Sequence, residues 1–507
     1  MKKLSILILA LAMLTLVGVA GAFAAAPAEK VLTIGVDQEA VGLDPHVVTA
    51  FSSMRRIDLL YNRLVRLDSN FVVVPDLAAS WEIPDNTTYV FHLRQGVKFH
   101  NGRELTADDV AYSLNRVLDP KTASPGRSYI SLITSIEVVD KYTVKLHLSA
   151  PLASLLDGLT SNNLSIVAKE VVEANGNLQK VEAGTGPFML KDWVADNSMT
   201  LVKNPSYFEK GLPLLDKVIF RVIPEQASLL AGVKSGDLDL STINDGAIIR
   251  QASKDSKVVV MSKPSLNMRI FSFNTTRKPF DDVRVREAVA LALDRTEILT
   301  IAEFGMGKPT GPLPVAATQW ALPLAKLPFS AVDVAKAKKL LADAGYPKGF
   351  SFKITCASTY EGGLAVAQVA QNELKKIGIN ADLEVVEWGV YIDKWVKRDY
   401  DTMIELRGGS GEPDRFLYRT FYSTGAVNNF LFKDAEIDKL LDQGRTQTLP
   451  ADRKATYDKL QAALSTQVPC VFLYCPNENQ VMSSKVSGFK MVGNGSLYYI
   501  TTATVKR

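Results

Sequence analysis

The hydrophobic pattern of this chain changes period part-way along, and that change constrains the fold more than any other feature. From Val31 to about Thr276, apolar residues alternate with more polar ones, as at Tyr89, Phe91 and Leu93, at Tyr142, Val144, Leu146 and Leu148, and at Val218, Phe220 and Val222. A period of two belongs to strands with one buried face. From about Asp281 the spacing lengthens to that of helices. Val285, Ala288, Val289 and Ala292 share one helical face. Ala337, Leu340, Leu341 and Ala344 share another, predicting a helix from Ser330 to Gly345. Val366, Val369, Ala370, Leu374 and Ile377 form a third stripe, closed by Gly378, after which Ile379, Ala381, Leu383 and Val385 alternate as a strand. A helix over about Ala451 to Gln467 leads into an apolar strand, Cys470 to Tyr474. Helix-then-strand rhythm is the mark of an α/β lobe. A chain of 507 residues also exceeds what one core supports, so several lobes are expected.

The first residues read as an address. Lys2 and Lys3 precede an apolar stretch from Leu4 to about Ala20 and a small-x-small site at Ala22-Phe23-Ala24, which predicts a signal peptide over residues 1–24. An uncleaved anchor is the rival, because the run approaches the ~20 residues that span a bilayer. No cysteine lies near the cleavage point, so the product is expected to be unlipidated and free in the periplasm. With Lys2 and Lys3 removed, 56 basic residues face 54 acidic ones, a balance that offers nothing to nucleic acid. Three cysteines, Cys356, Cys470 and Cys475, are too few for a disulfide framework. Cys470 and Cys475 are five apart, so on one continuous strand they would point to opposite faces.

An enzyme of this length should concentrate nucleophiles, bases or metal ligands. The four histidines, His46, His92, His100 and His147, are scattered, and no HExxH, HxxE or Cys-x-x-Cys grouping occurs. Gly184-Thr185-Gly186-Pro187 begins like a dinucleotide loop, but Met189 stands at the third glycine position. Gly305 to Thr310 lacks P-loop spacing, and Gly408-Gly409-Ser410-Gly411 fails as a nucleophile elbow because Glu412 replaces the second glycine. Thr106-Ala107-Asp108-Asp109 reads as a capping box, not as paired catalytic carboxylates. No catalytic residue, metal site or cofactor is expected.

Several long strings fit one known pattern together. Pro75 to Glu82 (PDLAASWE), Tyr89 to Gly102 (YVFHLRQGVKFHNG) and Leu105 to Val110 (LTADDV) come in order. Gly184 to Phe188 (GTGPF), Phe273 to Thr276 (FNTT) with Pro279 to Arg286 (PFDDVRVR), and Ala344 to Pro347 (AGYP) extend the match. The sequence resembles family 5 extracellular solute-binding proteins, the dipeptide, oligopeptide and nickel receptors of ABC importers. The resemblance implies a two-lobed α/β periplasmic binding fold of the class II type, with an extra subdomain inserted in the first lobe. Lobe I would comprise 25–270 plus 483–507, with the insertion at about 50–180, and lobe II would comprise 271–482. It further implies a monomer that captures a small-molecule or peptide ligand and delivers it to permease subunits in the inner membrane.

The resemblance also implies where the ligand sits. The segment Thr49, Ala50 and Phe51 would approach it from lobe I, and Trp388, Tyr391 and the loop Arg407, Gly408, Gly409, Ser410 and Glu412 from lobe II. Dipeptide-binding relatives carry Gly-Trp before an aspartate-rich loop that holds the peptide ammonium. Here Arg407 replaces the aromatic and the expected aspartate is absent. Arg407 in the cleft would favour an anionic ligand group. Alternatively it pairs internally with Glu405, Glu412 or Asp414. Glu412 could take the ammonium, and Asp414 is expected to cap a helix beginning at Arg415. Trp388 and Tyr391 either stack on the ligand or belong to the core of lobe II. The three glycines of the loop permit a close backbone approach. A saccharide, opine or metal-chelate ligand is the alternative to a peptide, and a secreted hydrolase the rival class.

Overall fold

The computed structural model describes residues 29–358, 362–425 and 427–506. The expected signal peptide lies outside the described residues. One hydrogen-bonded sheet runs through both lobes. Its order is Asn380–Val386, Ser351–Ala357, Thr402–Arg407, Met268–Phe273, Cys470–Ser483, Leu240–Thr242, Val31–Val36, Lys217–Val222, Ser198–Lys203 and Phe188–Val194. Val258–Pro264 and Gly307–Pro309 also pair with Cys470–Ser483.

The two ends of this sheet serve different cores. Leu32, Ile34, Val218 and Phe220 pack with the inserted subdomain in one. Phe271, Phe273, Ile354 and Leu473 pack with the helices Val283–Ala292 and Gly363–Lys375 in another. Both faces of Met268–Phe273 are buried, Arg269 and Ser272 included, so that strand has no solvent-facing side.

Cys470–Ser483 is the strand that passes between the lobes. Its first residues pair with Met268–Phe273, and its last pair with Leu240–Thr242 and Val258–Pro264. Residues 265–267 make a second crossing alongside it, where the Ser265 N–H donates to the Pro476 carbonyl at 3.0 Å. The hinge is therefore a pair of adjacent antiparallel strands crossing at 265–267 and near Pro476. The crossing strand is apolar and buried at Leu473 and Tyr474 and again at Val481 and Met482, with the polar, half-buried Pro476, Asn477 and Glu478 between them.

The inserted subdomain is a four-stranded antiparallel sheet, ordered Ala78–Asp85, Thr88–Leu93, Thr143–Leu148, Ile133–Asp140, with the helix Ala107–Leu118 packed against it. Tyr89, Phe91 and Leu93 point inward, as do Val144, Leu146 and Leu148. The capping box forms, with the Thr106 N–H donating to the Asp109 carboxylate at 2.9 Å. The helix expected from Ser330 instead spans Val334–Asp343, because the Asp333 carboxylate accepts the Lys336 N–H at 2.8 Å and caps it there.

Candidate ligand-binding cleft

Ala50 is the N-cap residue of the helix Phe51–Leu60 in lobe I. Thr49 is exposed beside it, and the Phe51 ring is 63% exposed although it opens an otherwise buried helix.

On lobe II, Trp388 opens the helix Trp388–Lys397, whose N-cap Glu387 accepts the Gly389 N–H at 2.9 Å. The Trp388 and Tyr391 rings stack at 5.4 Å with 12° between planes. Their surroundings differ. Trp388 is 40% exposed, whereas Tyr391 is 5% exposed and donates its hydroxyl to the Ile404 carbonyl at 2.9 Å.

Arg407 ends the strand Thr402–Arg407 and is buried inside lobe II. Its guanidinium lies 2.9 Å from Glu405, donates to the Val427 carbonyl at 3.2 Å, and bonds the Asn429 side chain. The Phe430 and Trp395 rings lie 4.9 and 5.4 Å from its central carbon. Glu405 is equally occupied: Ser272, the Trp395 indole N–H and the Asn429 amide all donate to it. Of the two alternatives for Arg407, internal pairing is the one observed. A buried guanidinium with this set of partners balances its own charge and presents none to a ligand.

The loop that follows is held by main-chain contacts. The Gly409 N–H donates to the Leu266 carbonyl at 3.1 Å, beside the hinge. A Cβ on Gly409 would lie 2.2 Å from that carbonyl oxygen, so glycine here serves packing against the hinge. A Cβ on Gly408 would meet nothing nearer than 3.9 Å. The Ser410 hydroxyl accepts the Glu412 N–H at 3.1 Å.

Glu412, not Asp414, is the N-cap of the next helix, which spans Pro413–Phe421. The Glu412 carboxylate accepts the Arg415 N–H at 3.1 Å and is bonded by Arg453. Pro413 at the first helical position fixes the cap two residues earlier and displaces the expected start at Arg415. Burial pushes the Glu412 carboxyl up to about 7 against the attraction of Arg453.

Asp414 instead reaches across the lobes. It accepts the Ser154 hydroxyl at 2.7 Å and is approached by the Arg445 Nε at 3.2 Å. Arg415 pairs with Asp157 at 2.7 Å and lies 4.4 Å from the centre of the Tyr129 ring. The Ala153 N–H donates to the Arg445 carbonyl at 3.1 Å. The lobes thus meet at a charged clasp beside the loop, which no local sequence signal announced.

The sequence pattern of the bacterial extracellular solute-binding proteins, family 5, matches residues 72–429. The chain is 30% identical over 445 residues to Heme-binding protein A of Haemophilus influenzae, covering 81% of each chain. It is 28% identical to the Dipeptide-binding protein of Escherichia coli, covering 93% of this chain and 94% of that one. The structure of the ABC transporter-associated periplasmic binding protein DppA from Helicobacter pylori, in complex with the peptide STSA, superposes with a TM-score of 0.81 at 29% identity, covering 94% of this chain and 98% of that one. Two lobes on one shared sheet, a paired-strand hinge and a match over most of the described residues agree: the chain belongs to the bacterial extracellular solute-binding proteins of family 5.

Proposed function

We propose that this protein is the periplasmic receptor of an ABC importer, enclosing a peptide or similar small polar solute between its lobes and handing it on unaltered to permease subunits in the inner membrane. The observation that carries the reading is the hinge. Two antiparallel strands crossing side by side let lobe II rotate onto lobe I, and the clasp of Ser154, Asp157, Asp414 and Arg415 forms only when the lobes meet. A ligand favours closure only insofar as it binds the closed form better.

Lobe I is read as the part before residue 265 together with the part after Pro476, and lobe II as the part between. Thr49, Ala50, Phe51, Trp388, Gly408 and Ser410 are the candidate contacts. Arg407 and Glu412 are engaged elsewhere, which leaves the ligand to be held by main-chain hydrogen bonds, neutral side chains and bridging water. The mature protein is a monomer without an acyl chain, without affinity for nucleic acid and without catalytic activity.

Mass spectrometry of ligand retained through native purification, followed by thermal-shift titration with a di- to pentapeptide library, tests the reading. A retained peptide and saturable stabilisation are expected. No shift with any peptide, together with turnover of one, would overturn it. A metal chelate is the second reading, motivated by the 30% identical haem-binding relative and by the exposed Trp388 face, on which a flat ring system can stack. Haem titration followed at the Soret band separates the two.

A further inference from the structure

Phe71 stands at the tip of the hairpin formed by Val65–Leu67 and Val73–Pro75, with Leu67 paired to Val73. Its φ is 62°, in the left-handed region where bulky side chains are disfavoured and glycine or asparagine is the ordinary choice. The turn does not require an aromatic. The Asp68 carboxylate accepts the N–H groups of Asn70 and Val72 at 2.8 and 2.9 Å, and the Phe71 N–H reaches the Asp68 carbonyl at 3.1 Å, all through backbone donors. A strained residue whose side chain the turn does not use points to a task for the ring.

The ring's position supplies one. A Cβ added to Gly411, in the candidate ligand loop of lobe II, would lie 3.3 Å from the Phe71 Cβ and 3.6 Å from its Cγ. A Cβ added to Gly493, in lobe I, would lie 3.7 Å from the far end of the same ring. Phe71 therefore lies between the two glycines, one on each lobe. Both are tied to the hinge: the Gly493 carbonyl accepts the Leu266 N–H at 3.3 Å, and the Leu266 carbonyl accepts the Gly409 N–H at 3.1 Å. In a rotation about the hinge Gly411 would move with lobe II, away from Phe71, and Gly493 would stay with Phe71 on lobe I. The approach of Phe71 to Gly411 would then be made only on closing.

We infer that Phe71 is a positioning residue for ligand capture, a wedge at the hinge that seats the loop Gly408–Glu412 in its binding position as the lobes shut. The inference rests on the receptor reading but not on the class of ligand. The cost of the left-handed backbone is borne in both the open and the closed form, whereas the gain from the ring is made only on closing.

The test compares Phe71→Gly and Phe71→Asn, which suit the left-handed backbone and remove the ring, with Phe71→Tyr, which keeps the ring. Inter-lobe fluorescence transfer is measured on ligand-free full-length protein during titration with a di- to pentapeptide library. Phe71→Gly and Phe71→Asn should need at least fivefold more library for half-closure, with a ligand-free Tm equal to the parent's or about 2 °C higher. Phe71→Tyr should match the parent. Unchanged half-closure in Phe71→Gly, or a fall in its ligand-free Tm that accounts for the weaker closure, overturns the inference. If the parent itself does not close on the library, the peptide reading fails separately. The wedge is then judged on the closed fraction of ligand-free protein, which Phe71→Gly must lower and which, if unchanged, overturns it.

Discussion

Asp157 of one lobe and Arg415 of the other are 2.7 Å apart, and this ion pair joins the inserted subdomain to the helix that begins beside the ligand loop. Both side chains are largely removed from solvent, and Arg415 also covers the Tyr129 ring. The lobe II side of the clasp carries three guanidinium groups, Arg415, Arg445 and Arg453, against two carboxylates, Glu412 and Asp414. Closure brings Asp157 to the unmatched cation. Asp157→Asn should therefore weaken the closed form by about 2 kcal/mol, roughly thirtyfold in the closing equilibrium. Small-angle scattering of ligand-saturated protein should show a larger radius of gyration than the parent at equal ligand, with the ligand-free Tm little changed. An unaltered radius would show that the pair contributes nothing to closure.

Arg407 is a member of the lobe II core, and its replacement should act on folding. Arg407→Ala leaves Glu405 buried without its cation and opens a gap beside Phe430 and Trp395. A loss of about 3 to 5 kcal/mol is expected, seen as an early transition in a ligand-free melt. A variant of parental stability with weakened ligand binding would instead place Arg407 in the cleft.

The sequence contained more of this than pattern alone reveals. Glu405 and Arg407 are two apart on a strand, hence on the same face, so parity already favoured their pairing over a guanidinium in the cleft. Pro413 likewise marked Glu412 as the cap, through the preference of proline for the first helical position. The two lobes were legible as a change of hydrophobic period. The hinge was not, because the polar run Pro476 to Gln480 reads as the end of a strand, whereas the strand continues through it to Ser483. Nor was the clasp, whose partners Asp157 and Arg415 are 258 residues apart, a separation at which no periodicity couples two side chains. Phe71 carries no sequence signal, because its strain is visible only once φ is known.

The glycines of the ligand loop should respond unequally. Gly409→Ala drives a methyl group against the Leu266 carbonyl and Pro314, which shifts the loop away from the hinge. Ligand affinity should fall at least tenfold by isothermal titration. Gly408→Ala meets open space and should bind within about twofold of the parent. Equal losses would mean that a ligand, not the hinge, sets the limit at both positions.

Trp388 and Tyr391 divide in the same way. Trp388→Ala removes a half-exposed face and should reduce affinity while leaving the ligand-free Tm nearly unaltered. Tyr391→Phe strips the donor from the buried Ile404 carbonyl and should cost about 1 kcal/mol of stability without changing affinity. The reverse outcome would exchange their roles.

Glu373, in the helix Gly363–Lys375, is buried and accepts the Asp294 N–H at 3.0 Å, remote from the cleft. Burial pushes its carboxyl up to about 8, with Glu297 adding to the effect and the Asp294 N–H opposing it. A folded-state value above the ordinary 4.5 means that the native protein holds this proton after the unfolded chain has released it. The stabilisation is fully present below about 4.5 and is lost as pH rises through about 8. Glu373→Gln keeps the acceptor for Asp294 and abolishes the titration. Denaturant unfolding across this range should therefore show the parent losing stability relative to the variant, most at the alkaline end, with equal ligand affinity throughout. Parallel profiles would mean that Glu373 ionises in the folded protein as readily as in water, and that its burial is relieved by solvent.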